Sequence, residues 1–330
     1  DFDRHHYRRL PNWSLLRGEN KLLILTSFSA PRIWGTERLR DYGATAPKTG
    51  SVYSVAGTDQ LNVLALDTIT GEQSTLKALV QEHPERFGLL ADEEYPIIVD
   101  MLGADADLSI QVHPTDQFAR AQGINYGKSE SWVFLSAPTS GTVYSGLRHP
   151  QQAIGTNEFR TCPLSLVGVQ PVTVGDYAFV PSGTVHAIRA GSLVYEIQQS
   201  TDITYRLYDY NRPGLDGHPR ALDVENAVQT LIPTSRVQVQ HWDTTENVTE
   251  TGYHLNKFIV DSQYNYAAPN GVATSITVVS GAITAGDHTI RQGSSIIALP
   301  DEHVSIQGNA TIIAATPRAY WREHTEITSI

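Results

Sequence analysis

Two histidines, a glutamate and a glutamine in this 330-residue chain stand where short strands could gather them around one point. In the run LSIQVHP, Gln111 and His113 are two residues apart, so on an extended chain both side chains project from the same face. A Gln-x-His pair alone reads equally well as a buried, hydrogen-bonded histidine. More specific is the stretch from Gly175 to His186: glycine, five residues, proline, one residue, glycine, two residues, histidine. The glycines permit tight corners, Pro181 fixes the bend, and His186 then opens the next strand facing inward. Between the two histidines, Glu130 in GKSESWVF begins a further strand and can offer an anionic oxygen, although such a residue also suits an exposed strand edge. Two imidazoles, a carboxylate and an amide oxygen form a mixed nitrogen and oxygen donor set with open positions. That set suits zinc and tolerates manganese, cobalt or iron. One carboxylate leaves a divalent ion with net positive charge, able to polarise a hydroxyl or carbonyl oxygen.

The elements that must hold these side chains are mostly strands. Hydrophobic residues make up 40% of the chain, and 25 Gly and 17 Pro punctuate short runs rich in Val, Ile and Thr. A formal charge of −11 argues against nucleic acid or an anionic membrane as partner, since both want a basic face, and an anionic substrate would need a locally basic pocket. The single cysteine, Cys162, cannot form an internal disulfide and reads as a small structural side chain. With no apolar run of about 18 residues and no signal pattern near the start, a reducing cytoplasm is the expected setting.

Residues 1–20 read as a loosely attached arm, in which adjacent His5 and His6 would point to opposite faces of an extended chain. One or two short helices are expected within residues 59–95, where Leu76, Leu79, Val80 and Phe87 follow a helical face broken by Pro84. After Pro96 the pattern turns to closely spaced strands, interrupted at residues 221–232 by a helical period with Leu222, Val224, Ala227 and Leu231 on one side. Strands return from His254. An internal echo organises the whole. Residues 172–188 and 288–306 share a strand, a glycine turn, an apolar strand, a proline corner and a further strand. Only the first copy carries a histidine five residues after its proline; the second has Ser305. Two jelly-roll halves with one metal site, in the first half, are the expectation.

The spacing from Gly175 to His186 resembles the second motif of the cupins. LSIQVHP, GKSESW, FVPSGTVHAI, LVYEIQQSTDITYRLYDYNR, PRIWG and HPRALDVENA together resemble the short bacterial mannose-6-phosphate isomerases over roughly residues 20–235. The resemblance implies a mainly β double cupin with a small helical portion: a catalytic domain over 21–235 and a metal-free cupin over 236–330. It implies zinc or another divalent metal on Gln111, His113, Glu130 and His186. It also implies a pocket arginine at Arg206, a lysine at Lys128, an acid at Glu196 and a serine at Ser109, in a monomer or homodimer that interconverts mannose 6-phosphate and fructose 6-phosphate. Aldose and ketose differ by one proton moved between C1 and C2 through a cis-enediol, so a base and an oxyanion stabiliser are needed. The metal and Arg206 suit the stabiliser. Lys128 suits a proton shuttle or a phosphate contact, and Glu196 the base or its orienter. Three features depart from the family: Asp100 stands where a lysine is usual, Ser51 and Ser54 flank Tyr53 where acids and a tryptophan are common, and one glycine, not two, follows Trp34. An aspartate there would repel a phosphate dianion or keep its proton. Alternative readings are an isomerase for a different or unphosphorylated sugar, a sugar-binding or regulatory cupin without turnover, and metal-dependent oxygen chemistry.

Overall fold

Three antiparallel sheets account for nearly all the regular structure in the computed structural model, which describes residues 22–322 apart from 153, 244 and 245. The expected N-terminal arm, with His5 and His6, lies outside the described residues. A seven-stranded sheet forms the middle layer, with the strand Ile97–Gly103 between Thr49–Val55 and Leu193–Gln199, and Glu130–Ser136 beyond. Both of its faces are buried. Val99, Met101, Val133, Tyr195 and Ile197 point to one core, while Leu102, Trp132, Phe134 and Val194 point to the other. Alternate residues of each strand therefore supply both cores, which is why the run PIIVDML is apolar apart from Asp100. The second core lies against a five-stranded sheet that includes Ile110–Val112, Thr142–Leu147, His186–Ala187 and Tyr205–Tyr208.

On the other side packs a nine-stranded sheet built around the long strands Tyr253–Ala267, Thr274–Ala285 and His303–Pro317. The expected second half is thus one continuous sheet by hydrogen bonding, with its own cluster of Ile276, Val278, Ile296, Ile306 and Ile312. Hydrogen bonding also crosses the domain boundary expected at residue 236. Leu22–Thr26 and Leu64–Asp67 complete the C-terminal sheet, whereas Gln238–His241 edges the seven-stranded one. Buried hydroxyls join the layers further, Ser295 donating to Ser54 at 2.8 Å, so Ser54 faces away from the candidate site.

The echo is visible in the backbone. Gly175 (φ +88°) and Gly293 (φ +83°) both take the left-handed conformation before an apolar strand, Asp176–Val180 and Ser295–Ala298 respectively. The helices are shorter than the expected windows. Residues 59–95 contain the α-helix Leu76–Glu82 and a 3-10 turn Pro84–Phe87, but also two strands, because Ala65 and Asp67 alternate with outward residues and pair into the C-terminal sheet. The later helix is Val224–Thr230; Leu222 precedes it and is exposed, so it does not join Val224 and Ala227 in the core. Cys162 is exposed at a helix end rather than packed. The position after the single glycine that follows Trp34 is also explained: Thr36 caps the 3-10 helix Glu37–Tyr42 by accepting from the Arg38 amide at 3.2 Å, a role glycine cannot fill. Among the described residues no helix is long and apolar enough to cross a membrane.

Candidate active site

Two sheets face each other across a cavity of about 240 Å³, and each contributes one row of side chains. From the five-stranded sheet, Arg206, Gln111 and His186 are direct cross-strand partners and so share one face. His113 lies two residues beyond Gln111, as alternation requires. The seven-stranded sheet brings Glu130 from the opposite side. His113 Nε2 is 3.0 Å from Glu130 Oε2, His186 Nε2 is 3.4 Å from Glu130 Oε1, and the imidazole centroids are 4.8 Å apart. His113, Glu130 and His186 are all at most 2% exposed and could hold a metal ion between them.

The surroundings of the imidazoles favour that use. His113 Nδ1 lies 2.8 Å from the Ile203 carbonyl oxygen and His186 Nδ1 lies 2.9 Å from that of Thr184. With both Nδ1 atoms donating to backbone, each Nε2 lone pair is left for the cluster, the arrangement metal-binding histidines favour. Burial, then the Lys128 ammonium, pushes His113 down to about 4, so it is neutral near pH 7. Burial opposes the charge on Glu130, but Lys128 at 3.2 Å and His113 outweigh it and hold the carboxyl well below its ordinary range. His113 Nε2 and Glu130 Oε2 are nonetheless buried without a hydrogen-bond partner, two lone-pair-bearing atoms converging on one point. This is the donor set a divalent cation fits. Gln111 stands beside it with its amide nitrogen 3.3 Å from His186 Nε2, while its oxygen accepts from the Ser109 hydroxyl at 3.1 Å. For Gln111 to act as an oxygen ligand its amide must rotate, after which the nitrogen would donate to Ser109.

Along the middle sheet runs a second row: Tyr53, Asp100, Glu196 and Trp132 are successive cross-strand neighbours. Trp132 Nε1 donates to Glu196 Oε1 at 3.2 Å. Burial, together with the Glu130 and Asp100 charges, raises Glu196 well above the usual carboxylate range. Lys128 moves upward too: burial disfavours its charge, but Glu130 and Glu196 more than compensate. Asp100, the residue standing for the family's lysine, lies under the cavity wall. Ser51, Tyr53, Leu102 and Glu196 around it line the cavity and Asp100 does not. It is 1% exposed and neither carboxylate oxygen closes a hydrogen bond. Burial, only partly offset by Ser51 and Glu196, pushes it up to about 6 from an ordinary 3.8. The folded state therefore favours the protonated acid while the unfolded chain ionises earlier, so stability falls between roughly pH 4 and 6 and stays lower above. Asp100→Asn is expected to stabilise the protein at pH 8 by on the order of 2–3 kcal/mol, the gap closing near pH 4. Urea denaturation at the two pH values checks it; equal stabilities at pH 8 would count against a carboxyl whose ionisation burial opposes.

Several lining residues carried no site assignment in the sequence. Arg32, Asp202, Gln198 and Arg220 all face the cavity. Alternation offered a signal for Arg32, which shares a face with Trp34 two residues on. Arg220 sits outside any regular element and gave none.

A mainly β, cupin-type fold enclosing a buried His-Glu-His group that could hold a metal defines the class of this protein. No family model matches the chain. It is 31% identical to the mannose-6-phosphate isomerase of Streptococcus mutans over 315 residues, 89% of this chain and 97% of that relative. It is 34% identical to the mannose-6-phosphate isomerase ManA of Bacillus subtilis over 234 residues, 67% of this chain and 72% of the relative. The crystal structure of the Bacillus subtilis mannose 6-phosphate isomerase superposes with a TM-score of 0.77 at 25% identity, covering 90% of this chain and 99% of the other. The chain belongs to the mannose-6-phosphate isomerase family, and it is an aldose–ketose isomerase.

Proposed function

We propose that the chain interconverts mannose 6-phosphate and fructose 6-phosphate, with a divalent ion, zinc in our reading, held by His113, Glu130, His186 and a rotated Gln111. The observation that carries this is the convergence of two imidazoles, that of His113 held neutral, and one ionised carboxylate beside a carboxyl of raised proton affinity in one polar cavity. A bound divalent cation would supply Lewis-acid polarisation of the sugar's C1 and C2 oxygens.

The remaining steps belong to side chains. An enediol pathway needs a group that takes a proton from one carbon and returns it to the next. Glu196 suits it, because burial and neighbouring carboxylates keep its proton affinity high and the Trp132 indole N–H fixes its orientation. Lys128 keeps Glu130 ionised at 3.2 Å and offers protons toward the sugar oxygens. Ser109 orients the Gln111 amide. Arg206 brings a guanidinium whose Nε is buried and unpaired. The nine-stranded sheet supplies none of the cavity lining among the described residues and serves as support. Asp100, being recessed, leaves the inner wall free of an exposed carboxylate of its own.

The test is mannose 6-phosphate incubated with the protein in D2O and followed by NMR. Fructose 6-phosphate should form, and deuterium exchanged from solvent should enter the sugar at C1 or C2. No ketose product with any divalent metal supplied would reject the reading in favour of a binding protein.

A further inference from the structure

Behind the two carboxyls of the cavity runs a chain of buried hydroxyls that the cavity itself does not use. Glu130 and Glu196 project into the cavity from adjacent strands of the seven-stranded sheet, so the residues that follow them, Ser131 and Ile197, project from the opposite face, toward the nine-stranded sheet. Ser131 and Ile197 are themselves direct cross-strand partners. One side chain of the nine-stranded sheet meets both. The Tyr253 hydroxyl, fully buried on the first residue of its long strand, lies 2.7 Å from Ser131 Oγ and 3.5 Å from the Ile197 carbonyl oxygen.

Counting protons gives this contact a direction. The Tyr177 hydroxyl donates to Glu250 Oε1 at 3.0 Å, so toward Ser131 Oγ, 2.6 Å away, it accepts. Ser131 has one proton, which goes to Tyr177 and leaves a lone pair for Tyr253. The relay therefore runs from Tyr253 through Ser131 and Tyr177 to Glu250, with each of the three buried hydroxyls paired. Its position matters because Glu130 opens the strand Glu130–Ser136 after irregular chain at residues 122–129, and strand ends fray unless held. The strand ladder decides which residues face each other. A hydroxyl from the next sheet adds a restraint perpendicular to the ladder, the direction in which Glu130 must reach His113 at 3.0 Å and His186 at 3.4 Å. We infer that Tyr253 is a positioning residue for both carboxyls: its hydroxyl, from a sheet that lines none of the cavity among the described residues, holds the Glu130 and Glu196 strands at the height where Glu130 meets the two imidazoles. The inference rests on the metal-centre reading for what Glu130 helps to hold.

Zinc is the probe, added to chelator-treated full-length protein in competition with a chromophoric chelator. Tyr253→Phe deletes one oxygen and should weaken zinc binding about tenfold, the low end of the range for groups that orient a metal ligand from outside. In turnover assays it should lower kcat about threefold to tenfold with KM for mannose 6-phosphate unchanged, as a sub-ångström misplacement of reacting groups would. Ser131→Ala removes the same contact from the other side and should weaken zinc by a similar factor, with the double variant no weaker than either alone, because members of one network are not additive. Tyr95→Phe is the control. Its buried hydroxyl donates to the Ala273 carbonyl at 2.8 Å beside the nine-stranded sheet, but neither Tyr95 nor its chain neighbours line the cavity. That variant should lower thermal stability and leave zinc affinity alone. Unchanged zinc affinity in Tyr253→Phe or in Ser131→Ala would overturn the assignment, and so would an equal loss in Tyr95→Phe, which would reduce it to general loosening. The affinity is read without turnover. A wild type that binds zinc through this network and isomerises nothing would therefore uphold the role of Tyr253 while rejecting the isomerase reading, and a wild type that takes up no zinc would reject the metal centre and this inference with it.

Discussion

His186→Ala is expected to lose its metal and its activity together, with kcat/KM for mannose 6-phosphate falling by on the order of 10³-fold or more. Removing His186 leaves His113, Glu130 and the weakly donating amide of Gln111, a set too poor to compete with water for a divalent ion at ordinary concentrations. The loss in rate follows because polarisation of the sugar oxygens is worth several kcal/mol of transition-state stabilisation. Metal content by plasma mass spectrometry, alongside the coupled assay, reads both quantities on one sample. Folding should survive: His186 stands in a two-residue strand whose neighbours Val185, Ala187 and Ile188 carry the packing. A variant that kept its full metal complement would show that the donors lie elsewhere.

Glu196→Gln is the second large effect, and of opposite kind. The metal should stay, and kcat should fall by roughly 10²- to 10⁴-fold, the range for a lost general acid or base. The substitution preserves shape and keeps an oxygen for the Trp132 N–H, but it removes the group whose proton affinity burial and the Glu130 and Asp100 charges have raised. A split between metal content and kcat separates this role from a structural one. Loss of metal with the same variant would instead make Glu196 part of the ligand environment, and an unchanged kcat would remove it from proton transfer.

Local spacing explains why the cluster was legible before the fold. Gln111 and His113 are placed by strand alternation, and His186 by a glycine-proline-glycine corner, so each needs only a few neighbouring residues to be positioned. What escaped depends on distant partners. Leu22–Thr26 reads as an N-terminal strand, but its place beside Ser295–Ala298 is set by a pairing across more than half the chain. The tidy division at residue 236 failed for the same reason. The orientation of Asp100 could be narrowed to a face by alternation with Met101 and Leu102, yet its depth beneath the wall depends on Tyr53 and Glu196 in neighbouring strands. Arg220 was invisible as a site residue because Asp209 holds it from eleven positions away in irregular chain. The helical face of Leu76, Leu79, Val80 and Phe87 does form a helix and a 3-10 turn, whereas the strand Leu64–Asp67 in the same window escaped because its four residues are fixed by pairing with Leu22–Thr26.

The departures from the family pattern also resolve differently once placed. Ser51 lines the cavity and Ser54 does not, since successive strand residues face opposite sheets. Tyr53 stacks on Phe28 with ring centroids 5.2 Å apart and closes the wall over Asp100, a packing role an aromatic side chain fills.

Zinc titrated back into chelator-treated protein, with fructose 6-phosphate formation measured at each addition, tests the central claim most directly. Activity should be absent at the start, rise linearly and level off at one equivalent of zinc per chain. Full turnover by the metal-stripped protein, or a plateau that requires a second ion, would contradict a single His113-Glu130-His186 centre as the seat of the chemistry.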